Sequence, residues 1–147
     1  MTQLHRDLAR RWFEDVWNTR RDATVRELLE KDAVCHMEGG DFIGPARFLE
    51  ARAALLEAFP DVGVRVEDVV ADGDRAVVRW SAEAHHKGAL LGIPPSGRKV
   101  QFRGITWMVF RDGKVVEGWD SWNLGGLLND CRVGPSWLPQ KVVPLKE

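Results

Sequence analysis

The chain has 147 residues, 21 basic and 22 acidic, for a net charge of -1, enough for one domain whose single core buries about two-thirds of the unfolded surface. Balanced charge without like-charge runs gives no footprint for nucleic acid or an anionic membrane surface. Seven tryptophans and no tyrosine exclude a phenol from any mechanism and leave Asp, Glu, His, Lys, backbone or water for acid, base and oxyanion roles.

In chain order, Leu4, Leu8, Trp12, Phe13, Val16 and Trp17 fall on one helical face and predict an amphipathic first helix. The segment 18–22 breaks it. Val25, Leu28 and Leu29 predict a short second helix ending near Lys31, then a brief strand over 33–37 and a turn over 38–41. Gly44 followed by Pro45 reads as a helix start, and Phe48, Leu49, Leu55, Leu56 and Phe59 carry that helix to Pro60. Beyond Pro60 the period changes to two. Val62, Val64 and Val66 alternate with Gly63, Arg65 and Glu67, and after the turn at 72–74 a second strand runs from Arg75 to about His86. A loop over 88–97, a strand over 100–111, the Asp112-Gly113 hairpin turn and a strand over 114–122 follow. Helices first and hairpins afterwards predict an α+β fold, a single domain over 1–147 with a curled antiparallel sheet. The tail from about 134 is expected to be irregular, with Trp137 packing back onto the domain or onto a second subunit.

The N-terminal MTQLHRDLARRW is charged throughout, and no apolar run nears the roughly 20 residues of a membrane span, so a cytoplasmic protein is expected. Cys35 and Cys131 lack CxxC or Cys/His spacing and read as reduced thiols. The four histidines show no ligand spacing and no GxGxxG or GK[ST] pattern occurs, so no metal and no nucleotide cofactor is expected.

The stretch KVVEGWDSWNLGGLL over 114–128 seats one carboxylate, Asp120, between Trp119 and Trp122 at a strand end. Aromatic walls disfavour the charged form and would bring an Asp toward neutral pH, where a general acid or base works best. The residues alone equally allow a solvated strand-end Asp beside core tryptophans. On the strand 75–86, Trp80 and His86 share the apolar face and His85 the polar one. A two-residue Asp112-Gly113 turn would pair Trp107 with Gly118 and Ile105 with Asp120, turning Asp120 toward Trp107 and Ile105 and Trp119 away. His36, before the glycine pair, is a third candidate, either structural or part of a pocket wall.

Several segments together resemble the SnoaL-like polyketide cyclase and ester cyclase group of the nuclear transport factor 2-like superfamily. They are VWN at 16–18, AFPD at 58–61, the HxGxLLGIPPSGR stretch over 86–98, FRDGKVVEGWD over 110–120 and GLL at 126–128. The resemblance implies a cone, with N-terminal helices packed on a curved antiparallel sheet around an apolar pocket, commonly as a homodimer. It further implies a cofactor-independent aldol cyclase with Asp120 as acid/base and His86 beside it, acting on a small apolar carbonyl compound. His36, Trp80, Ile105, Trp107 and Trp122 would line the pocket. A non-catalytic ligand-binding module and an epoxide hydrolase are the alternatives on the same fold; for the latter, the Arg79, Trp80, Ser81 spacing lacks the second acid. The chain departs from the group at Asn123, where relatives carry a second Asp, and over 129–134, where NDCRVG replaces an RQLG-like segment.

Overall fold

The computed structural model describes residues 2–133; the expected tail and Trp137 lie outside the described residues. The helices are α1 (Thr2–Phe13), α2 (Asp22–Leu28), α3 (Pro45–Ala58) and α4 (Leu124–Val133), and a π-helical turn over Glu14–Asn18 prolongs α1. The strands are β1 (Leu29–Met37), β2 (Gly40–Ile43), β3 (Gly63–Asp72), β4 (Arg75–His85), β5 (Lys99–Arg111) and β6 (Lys114–Trp122), joined in one sheet of order β2-β1-β6-β5-β4-β3.

The expected antiparallel sheet is a mixed one, because β1 pairs with β6 in parallel while the other neighbours are antiparallel. A parallel pair needs a long crossover, and here the crossover contains α3 and four strands. Two elements carry little local signal. Strand β2 is four residues long and opens on a glycine. Helix α4 begins Leu-Gly-Gly, a poor helical opening, and depends on a cap: Asn123 Oδ1 accepts the Gly126 N–H at 2.8 Å. Asn123 is thus the residue that starts α4.

The inner face of the sheet packs against α1 and its π turn. Ala9, Phe13 and Val16 join Ala76, Val78, Trp80 and Met108 in one buried cluster. Buried His5 stacks on Phe110 at 4.7 Å between ring centroids, and its Nδ1 donates to the Gly73 carbonyl at 2.8 Å, which fixes α1 to the β3–β4 turn. Polar side chains serve the exposed sheet edges. Asn18 gives Nδ2–H to the Val64 carbonyl and takes the Val64 N–H on Oδ1, both at 2.8 Å, standing in for a neighbouring strand on the edge strand β3. Asp61 accepts the His85 N–H at 2.8 Å and contacts His85 Nδ1 at 2.6 Å, tying the turn after α3 to the end of β4.

On the outer face, His36 Nε2 bonds Glu117 of β6 at 2.8 Å, Nδ1 reaches Asp41 of β2 at 3.1 Å, and the ring stacks on Trp119 at 4.9 Å. Both ring nitrogens can donate only in the imidazolium, and the Glu117 and Asp41 carboxylates raise the His36 pKa above 6.5. This clip therefore contributes fully below pH 6.5 and is lost as pH rises through the folded value. In urea titrations the denaturation midpoint is expected to fall as pH increases above 6.5, with the fall absent and the midpoint at pH 6 lower in His36→Gln. An identical pH dependence in the variant would show that His36 is not the group responsible.

Candidate active site

A cavity of about 440 Å³, counting its open mouth, lies between the inner face of the sheet and the helices. Phe13 and Trp17 close it from α1 and the π turn, and Leu55 from α3. Met37, Val62 and Val64 supply aliphatic wall. The deep side is aromatic: Trp80, Phe102 and Trp122 pack mutually, with centroids 6.1 Å apart for Trp80 and Phe102, 5.4 Å for Phe102 and Trp122, and 6.4 Å for Trp80 and Trp122. Gly104 permits this packing, since a Cβ there would lie 2.6 Å from Trp80 Cζ2 and 2.8 Å from both Trp122 Cβ and the Ser121 carbonyl oxygen.

Among the lining residues one is ionisable, Asp120, and its partner is Thr106. The Trp80 Nε1–H donates to Thr106 Oγ1 at 3.0 Å, and the Thr106 hydroxyl donates to Asp120 Oδ1 at 2.5 Å. A hydroxyl has one proton, so accepting from the indole leaves that proton for the carboxylate. Burial raises the Asp120 pKa to about 6; the Thr106 bond opposes this by favouring the ionised form, and the nearby Glu38 charge adds to the rise. The carboxyl can hold or release a proton near neutral pH from a largely apolar cavity.

The register that delivers Asp120 differs from the expected one. Asp112 and Gly113 both have positive φ, 53° and 77°, as a tight hairpin turn requires, and Arg111 pairs with Lys114. Phe110 then pairs with Val115 but Val109 with Glu117, so Val116 is an unopposed bulge residue and later positions shift by one. Asp120 faces Thr106 rather than Ile105, and Trp107 faces Trp119 rather than Gly118. Ile105 and Trp107 consequently lie on the outer face, half-exposed, and do not line the cavity. The structure brings Asp120, Trp80 and Trp122 together at the cavity, and it does not bring His36 or His86 to them. His36 belongs to the outer-face clip. His86 is fully buried next to Phe59, and its Nδ1 accepts the Ser96 N–H at 3.2 Å and contacts Ser96 Oγ at 2.9 Å, anchoring the loop 87–98.

Thr106, Phe102 and Met37 escaped the sequence reading, as did Phe13 and Trp17 as wall residues. For β5 a signal existed: Gln101, Arg103 and Arg111 all occupy odd positions, which marks the even face carrying Phe102, Thr106 and Met108 as the inner one. Apolar Ile105, Trp107 and Val109 on the odd face masked it.

Comparison with known proteins agrees with this architecture. A family model described as SnoaL-like polyketide cyclase matches residues 7–131. The chain belongs to the SnoaL-like polyketide cyclase family. Among solved structures, a protein designated a SnoaL-like polyketide cyclase from Jannaschia sp. CCS1 superposes with a TM-score of 0.84 at 25% identity, over 91% of this chain and 95% of that one. AclR from Streptomyces galilaeus, a proposed hydroxylase, gives 0.79 at 28% identity over 98% and 87% of the two chains. IdmH from Streptomyces antibioticus, a proposed polyketide cyclase, gives 0.76 at 28% identity over 86% and 97%. Comparison with curated protein sequences gives no match. The SnoaL-like fold is therefore shown, an α+β cone with a curved, open sheet, and it supports either a cyclase-like enzyme or a small-ligand-binding module. Among the described residues no helix is long and apolar enough to cross a membrane, and no group of three or more His, Cys, Asp or Glu side chains could hold a metal ion.

Because the folded-state pKa of Asp120 is raised from 3.8 to about 6, the folded protein retains a proton that the unfolded chain releases, and stability falls as pH rises between those values. Asp120→Asn escapes that loss. At pH 7.5 the variant is expected to exceed the wild type by roughly 2–3 kcal/mol in urea unfolding, with the two converging below about pH 4. A variant less stable than the wild type at pH 7.5 would contradict a desolvated carboxyl at this position.

Proposed function

We propose that this protein is a cofactor-independent enzyme in which Asp120 acts as acid/base on a small, largely apolar carbonyl compound. The observation that carries the reading is a single ionisable side chain, with its pKa near 6, in an aromatic-walled cavity. The names of the Jannaschia protein and IdmH favour ring closure as the reaction type.

In this mechanism the ionised Asp120 takes a proton from a carbon alpha to a carbonyl, and the C–H electron pair moves into the carbonyl to form an enolate. The enolate carbon attacks a second carbonyl of the same molecule, closing the ring. The resulting alkoxide recovers the proton from the Asp120 carboxylic acid, so the enzyme ends in its starting state. The Thr106 hydroxyl, oriented by Trp80, holds Oδ1 and leaves Oδ2 as the proton-carrying atom. Among the described residues no Lys, Arg or His side chain lines the cavity, and the proposed reaction suits substrates whose own conjugation stabilises the enolate. For such acidic C–H groups a general acid/base contribution of about 10²- to 10⁴-fold is sufficient. The aromatic walls favour neutral, flat molecules, and the low polarity keeps bulk water from quenching the enolate.

The test follows solvent deuterium into the acidic carbon of cyclic β-diketone and β-ketoester probes by NMR. Exchange is expected to rise with pH about a midpoint near 6 and to fall by about 10²-fold or more in Asp120→Asn, which should retain probe binding. Undiminished exchange in the variant would sink the assignment and leave a ligand-binding module; labelled water oxygen appearing in product from an epoxide probe would indicate hydrolysis instead.

We infer further that two copies associate through the outer face of the sheet. Trp107 and Trp119, directly opposed on central strands, are 42% and 40% exposed, beside Ile105 at 49%. Two indoles exposed on the middle of a sheet are costly as free surface and are suited to a partner's apolar face. Sedimentation equilibrium is expected to show a dimer that Trp107→Glu converts to monomer; a monomeric wild type at tens of micromolar would refute this.

A further inference from the structure

We propose that Glu38 is the positioning residue for Asp120 and for the Trp122 wall of the cavity, an inference that rests on the acid/base reading of Asp120. The parallel pairing of β1 with β6 ends at His36 opposite Trp119, after which β1 turns at 38–39 into β2. Among the described residues, strand β6 continues to Trp122 without a paired strand on that side. The Trp122 N–H is instead taken by Glu38 Oε1 at 3.0 Å, so a side chain completes the ladder that the main chain has left.

This bond places a carboxylate beside the site. Asp120 and Trp122 are two residues apart on one strand face, about 7 Å along the strand. Glu38 is exposed and, among the described residues, no cation pairs with it; its water-screened charge opposes Asp120 ionisation from the β1–β2 turn. Thr106 on β5 favours ionisation from the opposite side. Another titratable neighbour among the described residues is Cys35 on β1, whose thiol is pushed up to about 12 by burial and by Asp120 itself and stays neutral. Asp120 is thus held between one hydroxyl donor and one fixed negative charge. Asn123 is occupied in capping α4, and the second carboxylate near Asp120 arrives from the β1–β2 turn.

The experiment titrates Asp120 by NMR in protein carrying ¹³Cγ-labelled aspartate, with the resonance assigned through Asp120→Asn. Glu38→Gln keeps an acceptor oxygen for the Trp122 N–H and removes the charge. The Asp120 midpoint is expected to drop by about half a unit to one unit, while amide exchange at Trp122 stays at the wild-type rate. Glu38→Ala removes both functions, and Trp122 exchange is expected to accelerate as well. A purely structural Glu38 would change Trp122 exchange in the Ala variant and leave the midpoint in the Gln variant unmoved, and that result overturns the proposal. The midpoint is read without substrate. A shifted midpoint together with undiminished turnover in Asp120→Asn would uphold Glu38 and overturn the catalytic reading, whereas lost turnover with an unmoved midpoint would do the reverse.

Discussion

The hydroxyl of Thr106 stands between an indole and a carboxyl, and the inner wall of the cavity depends on how its one proton is directed. Trp80 donates to it, so the Thr106 proton is committed to Asp120. Without that hydroxyl, a buried indole N–H would lack its acceptor and a half-buried carboxylate its donor among the described residues, each costing about 1–3 kcal/mol. The relay needs Trp80 flat against β5, which requires the absence of a side chain at Gly104. A glycine, a tryptophan, a threonine and an aspartate on three adjacent strands thus act as one unit, and the bulge at Val116 brings the fourth member into register.

Strong sheet curvature leaves strand ends without neighbours, and in this chain polar side chains fill those places. Asn18 pairs with Val64 on the free edge of β3, Asp61 with His85 at the end of β4, and Glu38 with Trp122 at the end of β6. Each satisfies backbone groups that would otherwise face apolar surroundings or an open edge. Two of these residues lie in segments that mark the SnoaL-like resemblance, VWN and AFPD, which gives those motifs a structural meaning: they close the cone rather than perform chemistry. The same holds for His86 and Ser96, which pin the loop carrying GIPPSG.

The site that results is chemically sparse. Among the described residues its aromatic and aliphatic wall carries one proton-active group and no fixed positive charge, an arrangement with little capacity to stabilise a strongly basic anion. In the proposed reaction, reactivity comes from the bound molecule, with the protein supplying shape, a dry environment and a proton carrier. A fold of this kind can move between substrates by altering wall residues, consistent with the different activities proposed for its structural neighbours.

Period and turn chemistry alone determined the helix-then-sheet order, the hairpins at Gly73 and Gly113, the inward phase of Trp80, and Asp120 as the residue to watch, because those signals are local. The parallel β1–β6 pair, β2, α4 and the cavity partners of Asp120 were decided by tertiary structure. Strand β5 is apolar on both faces near Ile105, Thr106 and Trp107, so alternation could not name its inner side, and one bulged residue at Val116 reverses which neighbour Asp120 meets. The placement of Glu38 likewise depends on where β1 leaves the sheet, a matter of pairing between residues more than eighty positions apart. Local sequence can present a carboxyl at a strand end; only the packed sheet determines what surrounds it and hence at what pH it holds a proton.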